Sequence, residues 1–520
     1  MIIPSRRSAP VAAAAAAAVA GAIVALHYHS VGLTLSHYDA RGHLVVARRI
    51  ADSITPGWQQ VGAVWLPLPH LLNFLPAQVD WLYRTGAAAV AISIASFAVG
   101  AGAIAWIVIG LTGSAAAALL GAALFVINPN VLYLQATPMT EPLLLALTLV
   151  AVALLGERHG SVALSGATPG RSSGSVRGRA SDPPAPAIGA AAVGWAFALA
   201  CMTRYEAWPV TISALIAAVW AWWRNGVRLV EALRRAGTIA RYPALAVAAF
   251  ALYSRVVIGE WFTTGGFFVP ENKALNRPLL AAAEVWWGAH ALSGGWLTMI
   301  LGAAGLGALL VAAALDRKRA GWLIPLSLLT TAAIPWLAFV KGHPFRIRYM
   351  VPLLAAEAIG AGIAVGMFTR AAPVAAILAA AALAAGARPL DRSAPMVLEA
   401  QWDVPNVRAR ERVTDCLRAH YDGDTIMASM GSLGHYMQEA SRRGFAVRNF
   451  LHEGNGDIWL AALEGPRPFA GWLLIEEKAE GGDMLAAIAR QRPAFLDGYE
   501  RVCSEAGLAL YRRSRPSAQP

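Results

Sequence analysis

The residues best equipped for chemistry fall in four short clusters, each at the end of a long apolar run. The first is His37-Tyr38-Asp39-Ala40-Arg41-Gly42-His43, which continues through Leu44–Ile50 to Val64-Trp65-Leu66-Pro67-Leu68-Pro69-His70. Apolar residues at 44, 45, 46 and 50 suggest an amphipathic helix lying along a membrane interface. Asp39 then has two readings: a residue near the N-cap of that helix, or a general base held at the membrane boundary. His37, Asp39 and His43 are also metal-ligand types, at a spacing that is no established signature. The second cluster is Thr140-Glu141-Pro142. A carboxylate before proline suits a helix start, where the helix dipole favours negative charge. The third, Thr203-Arg204-Tyr205-Glu206, holds an Arg–Glu pair two residues apart, which also reads as a solvated helix end. The fourth is Lys341-Gly342-His343-Pro344-Phe345-Arg346-Ile347-Arg348-Tyr349, whose arginine forks suit phosphate oxygens.

Those clusters need long apolar elements to position them, and the sequence supplies them. Of the 520 residues 57% are hydrophobic and 14% charged, against roughly 25% charged in a soluble domain. Eleven runs read as spanning helices: 9–31, 86–111, 114–134, 140–156, 187–203, 208–223, 242–258, 295–315, 320–340, 349–369 and 371–387. With the N-terminus cytoplasmic, the short inside loops collect Arg6, Arg7, Arg158, Arg171, Arg177, Arg179, Arg224, Arg228, Arg234, Arg235, Arg241, Arg317, Lys318, Arg319 and Arg370, as the positive-inside rule requires. The formal charge of +12 is thereby explained without nucleic acid. The Gly/Ser/Pro/Arg-rich stretch 157–186 reads as a flexible cytoplasmic linker. All four clusters then lie on the outer face, with outer loops at about 32–85 and 259–294. The fourth places cations where the charge rule disfavours them, which favours an anion site.

The last segment, 388–520, changes character. A charged helix around Val407–His420, a strand at Thr425–Ser429, a helix around Leu433–Arg443, a strand at Trp472–Ile475, a helix around Met484–Arg490 and two strands at Tyr499–Val502 and Leu508–Arg512 suggest a small α/β domain. Eleven spans put it outside the cell, in a multi-pass protein of the cell (inner) membrane. Of three cysteines, Cys416 and Cys503 are available for one disulfide there, and Cys201 sits in a span.

Carboxylates and arginines converging beside apolar helices suit a substrate with an apolar tail and a phosphate at the interface, which a polyprenyl-phosphate sugar has. The motifs Tyr38-Asp39-Ala40-Arg41-Gly42-His43 and Val64-Trp65-Leu66-Pro67-Leu68-Pro69-His70 resemble those of lipid-carrier-dependent glycosyltransferases of the GT-C superfamily. Protein O-mannosyltransferases and the lipid A aminoarabinose transferase are among these. The resemblance covers residues 1–387. It implies a catalytic domain there, with Asp39 as the base in an inverting transfer to an acceptor hydroxyl of a glycan, lipid or protein. It further implies that Glu141, Arg204, Glu206, Lys341, His343, Arg346 and Arg348 surround the sugar and lipid phosphate. His43, Trp65, His70 and Glu271 are sugar or loop candidates. Many relatives carry two adjacent acidic residues in the first loop; here Ala40 follows Asp39, which implies transfer without a metal or other cofactor.

The alternative is a transporter or flippase of a lipid-linked sugar, which would place ionisable groups near the midplane and show internal repeats. A third reading makes the outer tail a partner-binding scaffold. Asp422-Gly423-Asp424 has the form of a metal-binding Asp-x-Asp but reads as a turn. Val269-Pro270-Glu271-Asn272-Lys273 is either a closing loop or a surface turn. Among the 18 tryptophans, Trp58, Trp65 and Trp296 are candidates for sugar stacking. Trp220, Trp222, Trp223, Trp286 and Trp287 read as interface anchors.

Overall fold

A computed structural model describes residues 8–62, 64–160, 188–259, 261, 272–478 and 483–514. Arg6, Arg7, most of the 157–186 stretch, including Arg171, Arg177 and Arg179, and Glu271 lie outside the described residues. Each of the eleven apolar runs is helical. Among the described residues, seven helices are long and apolar enough to cross a membrane. The bent pair Ala115–Ile127 and Pro129–Gln135, which turns by 69°, makes an eighth if it is one span. The chain is therefore a multi-pass membrane protein. Asn128 makes the bend: its side chain accepts from the amides of Asn130 and Val131 and starts the second helix against Pro129. Alternation of helix direction brings the ends near Asp39, Glu141, Arg204 and Arg348 to one face of the bundle.

Close backbone approach locks part of that bundle. Trp296–Leu315 runs against Leu353–Gly366, with Gly302, Gly305 and Gly360 at the crossing. A Cβ on Gly360 would strike the Gly302 carbonyl, and one on Gly305 the Gly360 carbonyl. Small residues serve here because lipid gives no hydrophobic drive for helix association, so contact at short range must do it.

The helix Tyr38–Arg49 does not lie open on a membrane surface. Every residue from Asp39 to Ala47 is buried. Its cap is His37, whose side chain accepts from the Asp39 amide. The helix Leu68–Ala77 packs on one side, and the helix Met430–Ala440 of the C-terminal region packs on the other. The expected amphipathic surface helix is thus sandwiched, because the C-terminal region supplies a second cover that its apolar pattern alone does not reveal.

The C-terminal region holds a five-stranded sheet of β1 (Ile426–Ala428), β2 (Phe450–Leu451), β3 (Trp472–Glu476), β4 (Tyr499–Glu505) and β5 (Leu508–Arg513). The order is β2-β1-β3-β5-β4, parallel across β2, β1 and β3 and antiparallel through β5 and β4. Four of these strands match the alternation in the sequence. The two-residue β2 and the helix Asp457–Glu464 were not expected. Cys416 and Cys503 form a disulfide between the helix Val404–His420 and β4. Asp422 and Asp424 form a turn: Asp422 accepts from Trp472 Nε1 and Arg512, both at 2.9 Å, and Asp424 pairs with Arg513 at 2.9 Å.

Before the sheet, the short helix Pro395–Gln401 returns to the membrane helices, where Met396, Val397 and Ala400 join their core. The Met396 amide donates to Asn130 Oδ1 at 3.0 Å. Then Arg41, on the sandwiched helix, meets a charge network from the C-terminal region. It bonds Asp403 at 3.1 Å and pairs with Glu439. Arg410 closes the network, at 2.7 Å from Asp403 Oδ1 and 3.0 Å from Glu439 Oε2. The charged helix expected around Val407–His420 carries Arg410, which is buried.

Gly360→Leu should separate the two crossing helices and lower the Tm of the purified protein in detergent, because overpacking costs about 1–3 kcal/mol. Gly307→Ala, whose added Cβ meets nothing within 4 Å, should leave the Tm unchanged.

Candidate functional site

With its amide held by His37 Nδ1 at 3.1 Å, Asp39 keeps its carboxylate free for another partner. That partner is Arg348, from the start of the span Ile347–Gly366, and the two side chains form an ion pair. Arg348 Nη1 also approaches His37 Nε2 at 3.5 Å, and its Nε lies 4.0 Å from Glu141 Oε1. Glu141, fully buried at the first turn of Glu141–His159, accepts from Arg204 Nη1 at 3.0 Å. Arg204 donates as well to Thr140 Oγ1 at 3.1 Å and forks onto Glu206 Oε1 at 3.1 and 2.7 Å. Asp39, Arg348, Glu141, Arg204 and Glu206 thus make one alternating chain of charge. The Tyr349 ring faces both guanidiniums, at 5.7 Å from Arg204 and 5.4 Å from Arg348.

Burial shapes the charges outside the spans. It works to raise the Asp39 pKa, but the Arg348 charge, followed by that of His37, prevails and holds the carboxyl down at about 2. Burial opposes the charge on Arg204, yet Glu141 and Glu206 more than offset it and raise its pKa. His43 is pushed well below the ordinary histidine range by burial and by its neighbour His70, so it is neutral at physiological pH.

The structure brings the sequence candidates together unequally. Asp39, Glu141, Arg204, Glu206 and Arg348 share the chain just described. His43 lies one helical turn after Asp39; its Nδ1 meets His70 Nε2 at 3.0 Å, and Trp65 packs on its ring at 4.1 Å between centroids. Arg346 stands over the Tyr38 ring at 6.0 Å. His343 approaches the Tyr349 hydroxyl at 3.4 Å, and burial lowers its pKa. Lys341 is exposed beside them in sequence. Trp58 and Trp296 are exposed, with Trp58 against Tyr253 and Trp296 against His290. His37, Asp39 and His43 do not converge: His37 turns to the Asp39 amide and Glu399, and His43 to His70. Among the described residues no three His, Cys, Asp or Glu side chains are grouped to hold a metal ion.

Glu399 is a member that the sequence reading missed. It is 2% exposed and its Oε1 lies 3.5 Å from His37 Nε2. Burial acts to raise its pKa, while the bond to His37 and the Arg348 charge lower it, with a net lowering. The one signal was a single acidic residue inside the apolar stretch Pro395-Met396-Val397-Leu398-Glu399-Ala400. A cavity of about 180 Å³ is lined by Asn128, Ser293, Glu357, Arg388 and Asp391 among others, and none of the four clusters borders it.

The ends of the membrane helices converge beneath a small mixed sheet. The chain matches, with a TM-score of 0.56 over 96% of its length and 99% of the other, the crystal structure of ArnT from Cupriavidus metallidurans bound to undecaprenyl phosphate. Sequence identity is 13%, so the likeness is one of fold. No family model and no curated protein sequence matches the chain.

Arg204→Ala should leave Glu206 buried without a countercharge and Glu141 with only Arg348 at 4.0 Å, and cost about 3–5 kcal/mol, read as a lower Tm in detergent. Arg204→Lys retains the charge and loses the fork, and its Tm should fall between the two.

Proposed function

We propose that this protein is an inverting glycosyltransferase that moves a sugar from a polyprenyl-phosphate carrier to an acceptor hydroxyl. The observation that carries this reading is the buried Asp39–Arg348 pair, a carboxylate and a guanidinium held together at the bundle end where a lipid phosphate would enter. The fold supports it, since the similar ArnT structure holds undecaprenyl phosphate.

Asp39 serves as the base. As the acceptor oxygen attacks the anomeric carbon, its proton passes to Asp39 and the bond from that carbon to the phosphate oxygen breaks. The electron pair leaves with the polyprenyl phosphate, and one displacement inverts the anomeric centre. Protonation of Asp39 weakens its hold on Arg348, which frees that guanidinium for the departing phosphate. Lys341, His343 and Arg346 belong to the same loop and line the phosphate's exit. Arg348, Arg346 and Lys341 give the countercharge, so the reaction needs no metal. Glu141 and Glu206 fix Arg204, and Glu399 fixes His37.

We assign the site to the outer face of the cell membrane, with the N-terminus cytoplasmic and the membrane portion 1–387 as the catalytic domain. The Cys416–Cys503 bond supports this side, because disulfides persist in oxidising compartments. The domain 388–520 then stands where a glycan, lipid or protein acceptor is met. A flippase would place its ionisable groups near the bilayer midplane; the charge chain sits instead at helix ends.

Asp39→Asn should lower release of polyprenyl phosphate from a polyprenyl-phosphate sugar by about 10²–10⁴-fold; it also leaves Arg348 with Glu141 at 4.0 Å as its remaining countercharge, so its Tm should fall, and turnover is compared on the folded fraction. Turnover that survives the change would move the base to Glu141 or Glu206. The pH profile gives an independent reading. A base must be ionised, and Asp39 stays ionised down to about 2, so kcat/KM should hold from neutrality to pH 4 as far as this group decides. An acid limb centred near pH 6 would assign the base elsewhere.

A further inference from the structure

The cavity of about 180 Å³ holds an acidic group that the charge chain does not use: Glu357, inside the span Ile347–Gly366. A cavity of about 150 Å³ admits a benzene molecule, so there is room here for a group of several heavy atoms. Ionisable side chains within spans face one another or a cavity, and they mark sites of function. The glycine crossing makes room for this one, since a Cβ on Gly302 would meet Glu357 Cγ at 2.9 Å. Glu357 Oε1 accepts from Ser293 Oγ. Among the described residues no cation pairs with Glu357 and no side chain bonds its Oε2, which leaves that oxygen for a ligand.

A charge of the opposite sign borders the same cavity. Arg388 stands exposed just beyond the helix Ala372–Ala384 and makes no ion pair among the described residues. Glu357 and Arg388 thus share one cavity without meeting. Asp391, whose amide donates to the Arg388 carbonyl at 3.0 Å, also lines it. Its Oδ1 is taken by the Ser393 amide at 2.8 Å and the Ser393 hydroxyl at 2.7 Å. We propose that this cavity binds the headgroup of a zwitterionic phospholipid, one with a primary ammonium two carbons from its phosphate. The ammonium pairs with Glu357 and the phosphate with Arg388. This site is additional to the sugar-transfer site and does not depend on that reading.

The chemistry of the walls selects that headgroup. A primary ammonium carries three N–H donors, and Glu357 Oε2, Thr298 Oγ1 and Ser293 Oγ are acceptors that border the cavity. A trimethylammonium has no N–H to offer them. A purely anionic headgroup would leave Glu357 without a countercharge and would meet Asp391 as well, and an uncompensated buried charge is costly. The Arg388 guanidinium matches phosphate oxygens by its fork. The rest of the lining is largely apolar, with Leu124, Phe125, Leu354 and Leu383. The helix that supplies Leu383 exposes Val374, Ile377 and Leu378, a flank on which acyl chains can lie. That flank favours a lipid over the same headgroup free in water.

The test supplies purified full-length protein in detergent with an equal mixture of phosphatidylethanolamine, phosphatidylcholine and phosphatidylglycerol of matched chains. After washing, the retained lipids are counted by mass spectrometry. Phosphatidylethanolamine should exceed each of the others by about tenfold or more, the scale of one charge-assisted hydrogen bond. Glu357→Gln removes the charge and can still accept from Ser293; it should abolish the preference. Arg388→Gln, at an exposed position that folding does not depend on, should lower phosphatidylethanolamine retention by about tenfold. Should Glu357→Gln fail to fold, the wild-type comparison and Arg388→Gln decide. Equal retention of the three lipids by wild type, or a preference that survives Glu357→Gln, overturns the inference. Unchanged retention in Arg388→Gln overturns the placement of the phosphate. Soluble glycerophosphoethanolamine that displaces the lipid at equal concentration overturns the lipid as the occupant. Release of polyprenyl phosphate is read separately, so failure here leaves the transferase reading standing.

Discussion

A buried charge must be paired, and the architecture at the bundle end follows from that requirement. Removing a carboxylate or a guanidinium from water costs several kcal/mol even after relaxation. Asp39, Glu141 and Glu206 therefore stay buried only because Arg348 and Arg204 stand between them in alternation. No single helix supplies that alternation. Asp39 comes from the helix after the first span, Glu141 from a helix start, Arg204 and Glu206 from a short connection, and Arg348 from another helix start. The bundle has to bring four separate chain reversals to one level for any of these charges to be tolerated. The glycine crossing at Gly302, Gly305 and Gly360 holds one of those helices, the one that Arg348 precedes, against its neighbour.

The same rule extends outward. Arg41, two residues beyond Asp39, is balanced by Asp403 and Glu439, and Arg410 balances them in turn. The C-terminal region is thereby joined to the helix that carries Asp39 by charge and by packing, with the helix Met430–Ala440 laid directly over it. Gln60 donates to the Gly454 carbonyl at 2.7 Å and Asn455 to Ser53 at 3.1 Å, which adds neutral bonds along the same seam.

Much of this was legible in the sequence wherever a strong local signal existed. Apolar length gave the helices, and polar residues at the ends of apolar runs stood out against them: Asp39, Glu141, Arg204, Glu206 and Arg348 were all visible in that way. Alternation gave four of the five strands. What stayed hidden was decided by partners distant in sequence. Glu399 is an ordinary residue of a short helix until that helix is seen to return to His37. Arg410 is one of several charges on a charged helix, since nothing near it in the chain tells of Arg41 or Glu439. The surface-lying reading of Tyr38–Arg49 failed for the same reason, because its cover is contributed some 390 residues later. The two-residue β2 is too short to carry any pattern.

The order in which the chain is made gives the last feature its meaning. Domains fold as units during synthesis, the N-terminal parts first. The helix with Asp39 emerges early, but His37 meets Glu399 and Arg41 meets Asp403 and Glu439 only after the chain has been built past those positions. A ribosome-bound or prematurely terminated product therefore holds Asp39 and Arg41 without the groups that seat their helix. Completion of the polypeptide is itself the step that closes this charge network.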